Sequence, residues 1–583
     1  MATVDELPGG TRDRPDDEVA AGAESAPEGP VARPGRDFFR WSLGIYLTVT
    51  AVLVLVAMSR LHWHYVYVLD DPAIHLSIAQ NLVHHGTWGV AAGHYQSASS
   101  SPVWTLLLGV LLLPLGWMRD YLPLLGNVAC GVGILYVLSR VGTPLRPALR
   151  RPTHVLGVFL LVVIVLFLPG LAVVGMEHSL HCLMMLLVVL LFERKLRDEP
   201  SWGPAWLPYA LLAVAMLTRF ETAFVALGIG LAILLRGATP WSIGDDRTWA
   251  DRLRQLVLVG LSAAVPLAAY AAFNRLMGQG LLPNSVLYKS QLTGPGSATS
   301  LSLKPIVERT FQDPLLSVFW VAAVLYLVAC RPGRNRNVVQ ASVLAVATPL
   351  HVILAQIGWY ERYQSYLVVL GVMFLFSLVA ELLPATGDRA QRHLGSRLTI
   401  AALVLAIPFA HYKITWTWYA PGSSVDMYRQ HYLAGKFLGQ YYDGKPVATG
   451  ELGYISLLHQ GGITDFYGLG DYEVLRAKQQ KKENAAFLAD LARKRGFDVA
   501  AMYPVTLGFN VPKDWILVGN WNYTGKQYTA IDRNFQFWAT TPQAVKPLEA
   551  NLRAFAAKLP PEEHLTINAL AEYRAAVLAG GGH

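Results

Sequence analysis

Residues 67–89 read YVLDDPAIHLSIAQNLVHHGTWG, with two adjacent acids, Asp70 and Asp71, shortly beyond the first long apolar run at 42–61. Carboxylates beside a bilayer are costly unless they line a water-filled cavity or do chemistry. The stretch is half polar, so it is neither a lipid-facing helix nor a disordered tail. Pro72 suits the first position of a helix, and Asp70 or Asp71 suits its N-cap. The same two acids suit a general base with a partner carboxylate that tunes it or helps to hold a divalent cation. A cap would fix the base at the helix entrance, so the two readings are compatible.

Working outward, the chain of 583 residues is 53% hydrophobic, and several runs exceed 18 mostly apolar residues. That is the pattern of a polytopic α-helical membrane protein. The net charge of +8 is not a nucleic-acid footprint, because the Lys and Arg residues fall mainly in short gaps between apolar segments, where they orient helices. Cys130, Cys182 and Cys330 all lie inside apolar segments and read as small buried hydrophobes.

Residues 1–36 have no apolar period and read as a disordered cytoplasmic N-terminus. Residues 37–415 read as the membrane domain. Arg33, Arg36 and Arg40 precede the first span, which places Asp70 and Asp71 outside. If 103–118 also crossed, the basic loop Arg140–Arg151 would land outside, so 101–118 reads as a juxtamembrane segment. The remaining spans are then 120–139, 155–169, 178–193, 205–219, 221–235, 256–275, 314–330, 338–357, 365–384 and 398–415, about eleven in all. Residues 416–583 alternate short apolar runs with turn residues, as in KPVATGELGYISLL, and read as an extracytoplasmic soluble α/β domain.

This parity puts every unusual polar cluster on the external face: YVLDD (67–71), GMEHS (175–179), TRFET (218–222), LPNSVLYKS (282–290) and WYERYQSY (359–366). With His75 on the helix that follows YVLDD, they supply the candidate substrate-binding residues His75, Glu177, His178, Arg219, Glu221, Asn284, Tyr288, Lys289, Glu361, Arg362 and Tyr363. External cations need an anionic reason, and a lipid phosphate provides one; structural pairs, Arg219 with Glu221 or Glu361 with Arg362, are the alternative. In ITDFYGLGDYE (463–473), Asp465 or Asp471 can contact an acceptor sugar and the aromatics can stack on it, or the segment is a strand and turn.

An acid beside the membrane, several cations and a lipid-facing cavity suit sugar transfer from a polyprenyl phosphate. The phosphate leaving group needs charge stabilisation, and the acceptor hydroxyl needs a base. No nucleotide-binding loop is seen. No cofactor is required by any motif, and a divalent cation on Asp70 or Asp71 fits the carboxylates. A lipid-sugar flippase or a non-catalytic envelope-assembly protein is the other reading. Transporters commonly show repeats and mid-membrane sites, and no repeat is present here.

The stretches DDPAIHLSIAQNLVHHG, SASSSPVWT, GMEHSL, LTRFETAF, LLPNSVLYKS and WYERYQSYLVVL, in that order, resemble the GT-C membrane glycosyltransferases. Within them they resemble the mycobacterial terminal β-(1→2)-arabinofuranosyltransferase family. The resemblance implies a GT-C-like fold with a catalytic acid in the first external loop, placed on Asp70 and Asp71. It implies a polyprenyl-phosphate sugar donor, arabinofuranose favoured, and a cell-envelope glycan acceptor at the external face of the cytoplasmic membrane.

Overall fold

The computed structural model describes residues 36–141, 152–200, 202–238, 248–289, 303–329, 337–382, 389–530 and 532–579. The N-terminal segment 1–35, Cys330 and the side chain of Lys289 lie outside the described residues. The chain forms a largely helical N-terminal region of apolar helices followed by a C-terminal domain built on a mixed β-sheet.

Among the described residues, four helical stretches are long and apolar enough to cross a membrane: Asp37–Ser59, Pro102–Val141, His154–Val174 and Trp249–Leu276. Five more apolar helices are shorter: Leu207–Thr218, Thr222–Leu235, Pro314–Ala329, Val338–Leu354 and Ser365–Glu381. The expected count of eleven is therefore not reproduced by length and composition. The helix His178–Leu196 ends in Glu193, Arg194 and Lys195. The expected span at 398–415 is divided between Arg389–Leu405, a 3-10 turn at Ile407–Ala410 and His411–Met427.

The apolar helices occupy two different environments. In His154–Val174, 94% of the most apolar window is buried inside the protein, whereas in Trp249–Leu276 only 6% is. The latter exposes Leu253, Val257, Leu261 and Val265, four residues apart and so on one face. A bare apolar stripe of this size needs a non-aqueous neighbour, and lipid supplies it. The 40-residue stretch Pro102–Val141 is divided by a 3-10 turn at Gly116–Tyr121, with non-helical backbone at Met118.

The first-loop helix, Asp71–His85, carries Pro72 in its first turn and is capped by Gly86. Gly86 takes the left-handed conformation (φ 63°) and returns its N–H to the carbonyls of Asn81 and Leu82, the closure that favours glycine there. Asp70 sits at the N-cap position but makes no capping hydrogen bond. The capping role expected for it is thereby corrected, and its carboxylate is used elsewhere.

The C-terminal domain carries six strands: β1 (Val447–Thr449), β2 (Ile463–Asp465), β3 (Val499–Met502), β4 (Ile516–Tyr523), β5 (Asn534–Ala539) and β6 (Glu563–Ile567), in the order β2-β1-β3-β5-β4-β6. β1 is parallel to β2 and β3; the remaining pairs are antiparallel. Trp521, Phe535, Phe537, Phe437 and Phe555 pack into one aromatic core on this sheet. Its flanking helices are capped by side chains: Asp471 accepts from the Val474 N–H, and Asn484 from the Phe487 N–H. The boundary expected at residue 416 falls inside the helix His411–Met427, which runs on through a π-helical turn, Tyr428–Tyr432, into Leu433–Tyr441.

Four hydrogen bonds seat this domain on the first loop and its helix. The Tyr67 N–H donates to the Tyr454 hydroxyl at 2.8 Å, Ser77 Oγ donates to the Ser456 carbonyl at 3.0 Å, and Asp70 receives the N–H groups of Gly453 (2.5 Å) and Tyr454 (2.9 Å).

Candidate functional site

The two first-loop acids face different partners. Asp71 Oδ2 accepts from Arg362 Nη2 at 2.6 Å, and its side chain is 21% exposed. Asp70 turns to the C-terminal domain, where its oxygens take the two N–H groups above and lie 3.3 Å from His431 Nδ1.

Arg362 is buried, donates to the Tyr363 hydroxyl at 3.0 Å and lies over that ring at 4.9 Å. Its Nε and Nη1 are buried and have no hydrogen-bond partner among the described residues. A guanidinium presents five donors in a rigid fork, and unfilled donors on a buried arginine favour an anionic partner. Arg362 lines a cavity of about 280 Å³, together with Ser100, His178, Arg219, Phe224, Ser285 and Leu354.

Arg219 is the second cation of that cavity. It ends the helix Leu207–Thr218 in extended backbone and forks onto Glu221 (Nη2 to Oε1 2.5 Å, Nε to Oε2 3.2 Å). Its Nη1 reaches Glu177 Oε1 at 2.6 Å and His178 Nε2 at 3.0 Å. Glu177 is fully buried, with His75 Nε2 at 3.8 Å on its other oxygen. His75 Nδ1 meets Thr105 Oγ1 at 2.8 Å. The Tyr363 ring stands between the two arginines, 5.4 Å from the Arg219 guanidinium, and meets the His178 ring edge-on. His75, Glu177, His178, Arg219, Glu221, Arg362, Tyr363 and Asp71 thus form one continuous network.

The other candidates are placed differently. Asn284 is buried beside cavity-lining Ser285, its N–H on the Ser97 carbonyl at 2.9 Å and its side-chain amide without a partner among the described residues. Tyr288 turns toward the C-terminal domain and meets Tyr467 edge-on. Lys289 closes the helix Asn284–Lys289. Asp465 is used by its own turn, accepting the N–H groups of Tyr467 and Gly470 at 2.8 Å each. Burial pushes it up to about 6, against those hydrogen bonds. The segment is therefore a strand and turn, with Asp465 at the strand's end.

Glu361 leaves the network altogether. It accepts from Gln364 Nε2 at 2.5 Å, and Gln364 also reaches Asp313, which lies 3.6 Å from Lys413. The expected pairing of Glu361 with Arg362 is corrected by the backbone between them. Gly358, Trp359, Tyr360 and Glu361 are all left-handed (φ 84°, 48°, 63° and 52°). Each non-glycine residue in that region costs about 1–2 kcal/mol, so the turn persists only where its surroundings over-determine it. Tyr360 supplies the anchor, stacked at 4.5 Å on Trp416 with its hydroxyl on Ser423. Tyr360→Phe is expected to cost about 1 kcal/mol, read as a lower thermal midpoint of the purified protein. An unchanged midpoint would mean that stacking alone holds the turn.

Two residues that sequence reading missed complete the Asp70 side. His431 lies in the π-helical turn and Glu451 just past the end of β1. Burial pushes the Glu451 carboxyl up to about 8, against His431 and with Asp70. Burial lowers His431, but Asp70 and Glu451 together outweigh it and raise it. Asp70, His431 and Glu451 each offer one ligand atom within 4.8 Å of the others, so the cluster can hold a divalent ion. The available signal was KPVATGE itself, an acid at the carboxyl end of a buried strand.

Comparison with known proteins gives one family match, described as "Domain of unknown function (DUF8728)", over residues 422–538. No curated protein sequence matches the chain. Among solved structures it is similar to the apo oligosaccharyltransferase of Archaeoglobus fulgidus (12% identity, 88% of this chain and 78% of that one, TM-score 0.44). It is similar to ArnT from Cupriavidus metallidurans bound to undecaprenyl phosphate (12% identity, 85% and 98%, TM-score 0.47). It is also similar to the Archaeoglobus fulgidus oligosaccharyltransferase in complex with Zn and sulfate (12% identity, 91% and 76%, TM-score 0.45).

Proposed function

We propose that the chain is an integral-membrane glycosyltransferase. It transfers a sugar, arabinofuranose favoured, from a polyprenyl-phosphate donor to a cell-envelope glycan at the external face of the cytoplasmic membrane. The observation that carries this reading is Arg362, a buried cation with two unfilled nitrogens at an apolar-walled cavity, paired to a half-open carboxylate, Asp71.

In the proposed reaction the donor phosphate docks on the bare edge of Arg362, with Arg219 behind it. The prenyl chain follows the apolar wall of Phe220, Phe224 and Leu354. Asp71 takes the proton from the acceptor hydroxyl, whose oxygen bonds to the anomeric carbon. The bond from that carbon to the phosphate oxygen breaks, and its electron pair leaves on the phosphate, where the arginines stabilise the charge. An open groove of about 860 Å³, lined by Arg275, Tyr472, Arg476 and Phe487 among others, offers the acceptor glycan aromatic and cationic contacts.

The test is transfer from a panel of radiolabelled polyprenyl-phosphate sugars (arabinose, mannose, glucose, galactose) to envelope glycan acceptors by the purified protein. Transfer from one donor, abolished by Asp71→Asn, is the expected result. Donor binding without transfer from any of the four would favour a flippase or an assembly protein instead.

A further inference from the structure

We propose that Asp70, His431 and Glu451 form a binding site for one zinc-class divalent cation that ties the first external loop to the C-terminal domain. The inference goes beyond the transferase reading and does not depend on it.

A chain of hydrogen bonds fixes the state of His431. Gln430 Nε2 donates to the Asp532 carbonyl at 3.0 Å, which leaves Gln430 Oε1 to accept from the Tyr503 hydroxyl at 2.6 Å. Having given its proton to Gln430, the Tyr503 oxygen accepts from His431 Nε2 at 2.9 Å. The imidazole therefore carries a proton on Nε2, and in its neutral form Nδ1 is a bare lone pair. That lone pair points between two carboxylates, 3.3 Å from Asp70 Oδ1 and 3.7 Å from Glu451 Oε2. With His431 neutral, its lone pair and the two carboxyl groups converge in a place where His431 is 3% and Glu451 8% exposed. Glu451 Oε1 has no hydrogen-bond partner among the described residues. Carboxylates buried together in this way need positive charge between them, supplied by protons on the cluster or by a metal ion.

The two separations from Nδ1 suit zinc. Two ligands of a tetrahedral ion with bonds of about 2.0–2.1 Å lie about 3.3 Å apart, close to the separations on either side of Nδ1. One imidazole with two carboxylates is a zinc donor set, whereas magnesium and calcium take six or more oxygens. The Tyr503–Gln430 chain orients the ring from behind, as outer partners of ligating histidines do. The Asp70 oxygens that accept from Gly453 and Tyr454 keep a second lone pair each.

The topology explains why the site falls here. From β1 the chain passes to β2 on one side, while β3 lies on the other. Parallel sheets bind ligands at the carboxyl ends of strands where the order reverses in this way. Glu451 follows β1 and Tyr503 follows β3. Here the crevice is filled by Asp70 of the membrane domain, so an ion at this point holds the two parts together.

The test is the zinc content of the purified full-length protein, by mass spectrometry after zinc loading and exhaustive dialysis. About one zinc per chain is expected in wild type and in Asp71→Asn, and background in His431→Ala and Glu451→Gln. A chelator should lower the thermal midpoint of wild type, and added zinc should restore it. This second readout needs no variant to fold. Wild type holding no more zinc than His431→Ala would overturn the proposal and leave a proton on Nδ1 as the missing cation. Zinc retained equally by both variants would place the ion elsewhere and overturn it too. Zinc content does not depend on whether the chain transfers sugar, so either reading can fail while the other stands.

Discussion

Asp71→Asn is expected to lower the rate of sugar transfer by ~10²–10⁴-fold, with a modest fall in the thermal midpoint because the buried Arg362 loses its counter-charge. The asparagine oxygen still accepts from Arg362, which limits that loss, but the side chain can no longer take a proton. Asp71 is favoured over Asp70 on exposure and on its neighbour. The Asp70 side chain is 13% exposed and turned to Gly453 and Tyr454 of the C-terminal domain, whereas that of Asp71 is 21% exposed and pairs with Arg362. That partner is also the group proposed to receive the donor phosphate. A bound phosphate shares Arg362 with Asp71 and so weakens the hold on the proposed base only when donor is present. Asp70→Asn should behave differently, losing about 1–3 kcal/mol through the weakened hold on two buried N–H groups. Single-turnover transfer and thermal unfolding of the two variants separate the roles. A large kinetic defect in Asp70→Asn at an unchanged midpoint, with Asp71→Asn active, would exchange them.

The parts of this arrangement that were legible in the sequence are those that follow from charge and side. Basic loops between apolar segments set a parity, and the parity placed GMEHS, TRFET, LPNSVLYKS and WYERYQSY on the face of Asp70 and Asp71. In the structure, Glu177, His178, Arg219, Ser285 and Arg362 from these stretches come to or beside one cavity. What was not legible depends on backbone geometry or on distance. Glu361 and Arg362 are neighbours in sequence, yet a left-handed turn of non-glycine residues sends them to separate clusters. No propensity predicts three such residues in a row. His431 and Glu451 lie more than 350 residues from Asp70, and only docking of the α/β domain brings them to it. Hydropathy likewise treats His154–Val174 and Trp249–Leu276 as equals, although one is buried in protein and the other faces outward.

Arg219→Ala is expected to cost about 3–5 kcal/mol of stability, because it leaves a fully buried carboxylate without its counter-charge. Glu177 has no exposed surface, and the His75 ring stands 3.8 Å from its other oxygen. Glu221 loses both of its bonds to the guanidinium in the same substitution. The penalty arises from the charge left behind rather than from any large net value of the pair, which implies a specific rescue. Adding Glu177→Gln to Arg219→Ala removes the buried charge, so the double variant should be more stable than Arg219→Ala alone, a non-additivity of 0.5–3 kcal/mol being usual for groups in contact, roughly. Denaturant unfolding of wild type, both single variants and the double variant closes the cycle. If Arg219→Ala instead stayed within about 0.5 kcal/mol of wild type and lost donor binding, Arg219 would be a phosphate ligand first and a structural counter-ion second. Water entering the cavity would then be what solvates Glu177. The cycle therefore measures how dry the chamber is around the proposed phosphate position, and a dry chamber is what gives Arg362 and Arg219 their strength there, since charge–charge attraction grows as the local dielectric falls.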